Sequence, residues 1–321
     1  MGAYILRRLL WVVVIIVVIT LFAFLIFYVL PPGDPAVAFA GRQPTPQTLA
    51  AVREQLGLDK PIYVQYGRFA KNLFLGDEYG WPGFGLSFTT RTPVRELIFG
   101  KVWVTLQLAL GAAVVWLLIG IPIGVISALR RRTIVDRAAM GFALFGVSAP
   151  VFWLGLLSLY IFSYRLHWAP GTGYFAFQDG PFQWFTHFLM PWFVLAFLFA
   201  AFYARMVRGN MIETMSEDYI RTARAKGLPE NRVVMKHGLR SSLTPVVTMF
   251  GLDFGQLIGG AIVTERIFNL PGLGNYLVDA VARSDIPVVM AVVVFAALSI
   301  TVMNLIVDIV YAYLDPRVRY A

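Results

Sequence analysis

The chain has 321 residues, of which 58% are hydrophobic and 14% charged, where soluble domains carry about 25% charged residues. Its 27 basic and 18 acidic side chains leave a net charge of +9, and it has no cysteine. That composition excludes a soluble enzyme, disulfides, thiolate metal sites and cysteine nucleophiles, and it describes a chain built to meet lipid or other apolar helices.

A helix needs about 20 apolar residues to cross a bilayer core, and six runs qualify. The first, residues 9–30, carries no charge and follows Arg7 and Arg8. Ala38-Phe39-Ala40 beyond it has the small-x-small pattern of a cleavage site. The run of 22 residues nevertheless exceeds the signal-peptide core of roughly 7–15, so it reads as a retained anchor. Residues 31–101 form a loop long enough for a small extracytoplasmic subdomain. In it Thr45-Pro46 reads as an N-cap followed by proline at the first helical position, and Gly57 stops that helix after Leu56. A second helix is predicted over 61–75 with Gly76 as its stop, and 77–87 reads as loop. This subdomain either caps the spans or offers a docking or gating surface.

The remaining apolar runs are 102–129, 138–164, 188–204, 243–263 and 286–314, the last two containing one acid each, Asp253 and Asp308. Runs of this length are helices rather than strands. Gly120, Pro122, Gly124, Gly146 and Pro150 mark possible bends in the second and third. The expected fold is an all-α polytopic membrane protein with six transmembrane helices. It divides into 1–30, the loop subdomain 31–101, and a five-helix core 102–321 that contains a polar loop, 205–242.

Lysine and arginine orient the spans. With the N-terminus inside, segments 1–8, 130–137, 205–242 and 315–321 hold 16 basic residues in 61 positions, and the outer segments 31–101, 165–187 and 264–285 hold 11 in 116. The inner density is nearly three times the outer, which predicts an N-in, C-in arrangement. Topology accounts for the positive balance, and nothing in it requires nucleic acid.

Loop 205–242 is too polar to span and too patterned to be a linker. Ser216 can cap a helix that opens with Glu217 and Asp218 at the positive end of its dipole. Arg224 and Lys226 fall in its last turn, Gly227 supplies a left-handed stop, and Pro229 can begin a second helix to about Leu239. Tyr219 and Ala223, four apart, give one side a large residue beside a small one, a surface suited to a groove on another protein. A basic helix lying on anionic lipid would need a stripe of large apolar residues, and Arg221-Thr222-Ala223-Arg224-Ala225-Lys226 has none.

The segment from Glu217 to Gly227 resembles the cytoplasmic coupling loop of binding-protein-dependent ABC importer permeases, and most of all their dipeptide and oligopeptide branch. Four more stretches resemble the same branch in the same order: Leu30-Pro31-Pro32-Gly33-Asp34-Pro35-Ala36, Gly85-Leu86-Ser87 with Pro93-Val94, Pro271-Gly272-Leu273-Gly274, and Asp315-Pro316-Arg317. The general permease motif reads Glu-Ala-Ala, three residues, then Gly; here Arg221-Thr222-Ala223 stands for the triplet, Gly227 fits, and His237-Gly238-Leu239-Arg240 replaces the later part. The resemblance implies a multi-pass subunit of a prokaryotic inner (plasma) membrane that forms half of a translocation path with a second, homologous permease. It implies two ABC ATPase subunits below, contacted through Glu217, Asp218, Tyr219, Arg221, Thr222, Ala223, Arg224, Lys226 and Gly227. It implies an extracytoplasmic binding protein above, which delivers a peptide or related small solute. ATP and magnesium would be bound by the ATPases, with no cofactor in this chain.

The chain's own motifs agree with that division of labour. Gly100-Lys101 is its one Gly-Lys pair and lacks the upstream glycine and following Ser or Thr of a P-loop. His167, His187 and His237 show no metal-protease spacing, and Gly146-Val147-Ser148-Ala149-Pro150 lacks the closing glycine of a nucleophile elbow, so no catalytic or metal residue is predicted. Asp253, near the middle of its run, is a translocation-path candidate or a helix-packing group beside Gly251 and Gly255. Gly251, Gly255, Gly259 and Gly260 give a small-residue face for a partner permease or for solute. The alternative reading, a self-sufficient secondary transporter, expects internal repeats and clustered intramembrane ionisable groups; the sequence offers one midplane acid and no obvious repeat.

Overall fold

A computed structural model describes residues 2–29, 35–40 and 45–314. Among the described residues there is no strand, only two isolated β-bridges, Asp77 with Gly80 and Leu86 with Pro93. The helices are α1 Gly2–Phe24, α2 Pro35–Ala40, α3 Pro46–Leu56, α4 Ile62–Leu75, α5 Val94–Leu129, α6 Ile134–Ser148, α7 Val151–Ser158 and α8 Pro181–Thr214. They continue with α9 Asp218–Ala225, α10 Glu230–Arg232, α11 Leu239–Ser242, α12 Thr244–Ile258, α13 Ile262–Ile267, α14 Leu273–Ala282 and α15 Ile286–Leu314. Wider π turns over Leu25–Val29, Leu159–Arg165 and Val233–Gly238 extend α1, extend α7 and join α10 to α11. The stretches Leu30-Pro31-Pro32-Gly33-Asp34 and Asp315-Pro316-Arg317 lie outside the described residues.

Among the described residues, four helices are long and apolar enough to cross a membrane: Arg7–Val29, Val94–Leu129, Pro181–Thr214 and Ile286–Val310. The predicted third span is broken: Ile134–Ser148 and Val151–Arg165 meet at 101°, and the pair makes a fifth candidate if counted as one. The break falls at Ala149-Pro150, because proline removes a helical donor and disfavours helical backbone in the residue before it. The predicted fifth span, 243–263, is not one helix of that length. Its helix α12 ends after 15 residues, about 22 Å at 1.5 Å per residue, because Gly260 takes φ 125°. Boundaries also move: α5 begins at Val94 rather than 102, and α8 begins at Pro181 rather than 188 and runs on to Thr214, beyond the few residues past Arg205 expected from sequence.

The chain forms two compact units, each discontinuous in sequence. One is built from residues up to Thr105 with Gly255–Ile262 and Pro271–Leu305; the other from Leu106–Phe254, Val263–Leu270 and the chain from Ile306 on.

In the first unit the loop subdomain packs on its own spans. Thr45 caps α3, its Oγ1 accepting from the Thr48 amide at 3.2 Å, and Gly57 ends the helix at φ 69°. Ala23 of α1, Leu73 of α4 and Val294 of α15 share one cluster, and Ile286 closes another made by Ala36, Phe39, Val52 and Phe88. Asp285, 3% exposed, organises the loop before α5: it accepts from the Ser87 hydroxyl, from the Phe88 amide at 2.9 Å and from the Thr89 amide at 3.2 Å. Gly255, near the end of α12, and Gly259, just beyond it, face α15 inside this unit. A Cβ on Gly255 would lie 2.9 Å from Met303 Cβ, and one on Gly259 2.7 Å from Ala296 Cβ. Their small size therefore serves close packing within the chain.

In the second unit α8 is the central helix, with Phe188, Ala196, Ala200, Tyr203, Val207 and Met211 all buried. Close approach rather than bending explains two glycines. A Cβ on Gly124 of α5 would fall 2.6 Å from the Ala204 carbonyl oxygen, and one on Gly146 of α6 2.5 Å from Ala201 Cβ.

Candidate coupling site

The polar segment after α8 folds into a small, separately packed structure. Met215 and Ser216 turn the chain after α8, and the Ser216 hydroxyl donates to the Glu213 carbonyl at 2.7 Å. Ser216 is therefore not the cap of the next helix. Glu217 occupies the N-cap position, and its side chain makes no capping bond. Helix α9 follows, with Ile220 and Ala223 turned inward against Val233, Met215 and Leu228. Burial of Ala223 corrects the expectation that it shares an outer surface with Tyr219. Tyr219 is 44% exposed while Ala223 is 6% exposed, so the close-fitting alanine anchors α9 and the tyrosine is presented.

The outer side of α9 carries Asp218, Tyr219, Arg221, Thr222 and Arg224, with Lys226 and Gly227 exposed just beyond its end. Arg221 pairs with Asp218 at 3.3 Å, both side chains more than two-thirds exposed. Thr222 Oγ1 donates to the Asp218 carbonyl at 2.9 Å. Gly227 turns the chain at φ 74°, with nothing near the position a Cβ would take. Pro229 then caps α10.

Arg224 closes this elbow, donating from Nε to Glu230 Oε2 at 3.0 Å and from Nη2 to Oε1 at 2.6 Å. The two-pronged bond holds the Glu230 carboxyl below its ordinary range and the Arg224 guanidinium above its own. Glu230 lay beyond the residues singled out by sequence; its place in the first turn after Pro229 was its only local signal.

The elbow is joined to two long elements. Gly238 lies against the end of α8, where a Cβ would come within 2.9 Å of Met211 and Met215. Asn210 Nδ2 donates to the Ser242 carbonyl at 3.3 Å. Helix then runs nearly unbroken from Glu230 to Ile258, interrupted as a turn at Leu243 alone. Along it, Asp253 accepts a hydrogen bond from the Tyr203 hydroxyl of α8 at 2.8 Å, and Tyr203 packs with Phe250 around the buried indole of Trp116. Asp253 thus has a packing partner, on α8 rather than beside its neighbouring glycines.

A second polar knot braces the start of α6. Arg208 of α8 grips Asp136 through Nε at 2.6 Å and Nη2 at 2.9 Å. Ser127 Oγ donates to the same carboxylate at 2.6 Å and the Arg132 amide at 2.8 Å. Sequence reasoning missed this acid, although Thr133, three residues earlier, caps α6 by accepting from the Asp136 amide.

Fold and site together define a multi-pass helical membrane protein with one compact polar elbow between long helices. Residues 120–320 match the family of binding-protein-dependent transport system inner membrane components, and residues 1–109 match the N-terminal region of binding-protein-dependent transport system membrane components. The chain is 42% identical, over 99% of both sequences, to the glutathione transport system permease protein GsiC of Salmonella paratyphi A. It is 41% identical over the full length of both to a protein provisionally named a peptide transport system permease in Brucella abortus, and 41% identical over 99% of both to GsiC of Escherichia coli. The chain belongs to the binding-protein-dependent transport system permeases, the inner-membrane components of ABC importers of the peptide family.

Proposed function

We propose that this chain forms half of the path by which a peptide or related small solute, handed over by an external binding protein, enters the cell at the expense of ATP hydrolysed by two partner ATPases. A second, homologous permease completes the path. The reading includes six crossings, N-in and C-in, with the nearly continuous helical stretch 230–258 supplying the crossing that α12 alone is too short to make. ATP and magnesium belong to the ATPases. The relatives named for peptide and glutathione transport support the solute class.

The observation that carries the coupling role is the rigid elbow. Helix α9 presents Asp218, Tyr219, Arg221 and Arg224 outward, while Ile220, Ala223 and the Arg224–Glu230 pair bind it to the next helices. An ATPase that closes on α9 would displace the 230–258 stretch and the end of α8 together. The Tyr203–Asp253 contact joins those same two elements, so Asp253 is the translocation-path residue of this reading.

Affinity purification from the native membrane in mild detergent tests the assignment. The wild-type chain is expected to bring down two ATPases and a second permease. Gly227→Asp, which forces a side chain into left-handed backbone at a cost of about 1–2 kcal/mol, is expected to lose the ATPases and keep the permease. Solute uptake by this chain alone in proteoliposomes would overturn the reading in favour of a self-sufficient transporter.

A further inference from the structure

One groove beside the elbow is used by nothing described so far. It encloses about 670 Å³ and is lined by Tyr219, Lys236, His237, Arg240, Ser241, Leu243, Thr244 and Val247. Among the described residues its cations are unmatched: Asp136, Asp218 and Glu230 are taken by Arg208, Arg221 and Arg224, and no described carboxylate lies within ion-pair distance of Lys236 or Arg240. No acidic side chain lines the groove.

The lining is also ordered along the chain. Lys236, Arg240, Thr244 and Val247 follow one another at helical spacing, so they share one face over roughly 16 Å. Along the chain the whole lining passes from the cations Lys236 and Arg240, through the Ser241 hydroxyl, to Leu243 and Val247, with the Thr244 hydroxyl between those two apolar side chains. The passage from charged to apolar falls at Leu243, where the predicted membrane run begins. A phospholipid has the same order along its length: an anionic phosphate, ester oxygens that accept hydrogen bonds, then hydrocarbon. An acidic protein segment would match the cations and leave Leu243 and Val247 without counterparts.

We infer that this groove binds the headgroup and first acyl carbons of an anionic phospholipid, with Lys236 and Arg240 on the phosphate, Ser241 and Thr244 at the ester level and Leu243 and Val247 against the chain. Basic pockets at the membrane surface gain about 1 kcal/mol per cation from anionic lipid. Because Tyr219 of α9 forms part of the wall, the bound lipid would touch the helix proposed to receive the ATPase. The inference rests on the membrane placement given under Proposed function.

The test uses the assembled transporter in nanodiscs of phosphatidylglycerol mixed with phosphatidylcholine, with retained lipid counted by native mass spectrometry. The wild type is expected to retain phosphatidylglycerol preferentially, and the double variant K236Q/R240Q to lower that preference by about thirtyfold. Both substituted side chains are exposed, and an unchanged thermal transition of the variant shows that the fold is kept. Equal lipid retention by wild type and variant would overturn the inference. So would full displacement by inorganic phosphate, which would mark a simple anion site, or a zero-length cross-link from Lys236 to an acidic residue of an ATPase. Failure of the assembly reading would be separate: the wild-type chain would then purify without ATPases, whatever lipid it holds.

Discussion

Asp136 shows how one buried acid can organise a junction. Its side chain is 6% exposed, and that of Arg208 is 25% exposed. Two bonds from the guanidinium, one from Ser127 and one from a backbone amide satisfy the carboxylate. Removing one member of such a pair strands the other, which is costlier than losing a neutral hydrogen bond. Asp136→Ala is therefore expected to destabilise the chain by about 3 kcal/mol, and Ser127→Ala by about 1 kcal/mol, in denaturant titrations in mixed micelles. Equal small effects would show that the knot is idle. Lysine for Arg208 should not restore the wild type, since an ammonium cannot reproduce the planar fork.

The elbow has a pH signature of its own. Arg224 depresses the folded-state pKa of Glu230, so the stability this pair adds is fully present above the ordinary glutamate value of about 4.3 and is lost as pH falls through the lower folded value. Both side chains are more than two-fifths exposed, so high salt should weaken the pair as well. Hydrogen exchange across 224–230, corrected for its intrinsic pH dependence, is expected to lose protection below about pH 4 in the wild type and to show no such change in Glu230→Gln. The same elements show what sequence can carry. Thr45, Gly57, Gly76, Pro150 and Gly227 were legible because caps, stops and breaks are local chemistry, decided within four or five residues. The end of α8 was not. Hydropathy falls at Arg205 and carries the helix only a few residues further, while Val207, Met211 and Thr214 keep it buried against protein for additional turns. The Asp136–Arg208 knot joins residues 72 apart, and the packing of Gly255 and Gly259 on α15 depends on helices that no local pattern pairs. The inward turn of Ala223 was hidden for a related reason: four-residue spacing with Tyr219 names a face, and the contact with Val233 decides which way it points.

At the level of the whole chain, the absence of native cysteine makes the proposed orientation directly measurable. In intact spheroplasts a membrane-impermeant maleimide is expected to label Glu54→Cys and to spare Arg131→Cys until the membrane is opened. The reverse pattern would overturn the N-in, C-in arrangement. The two units also set a schedule for making the protein. Neither is a continuous stretch of chain, and the loop at Ser87 is tied to Asp285, 198 residues later. At a synthesis rate of roughly 5–20 residues per second, the ribosome needs about 10–40 s to travel between them. For that interval Ser87 and the amides of Phe88 and Thr89 have no carboxylate to bind, although the spans on either side of the loop have already been inserted. The newborn permease thus passes through a period in which a finished anchor carries an unfinished loop, open to proteases and quality control until the last helix arrives.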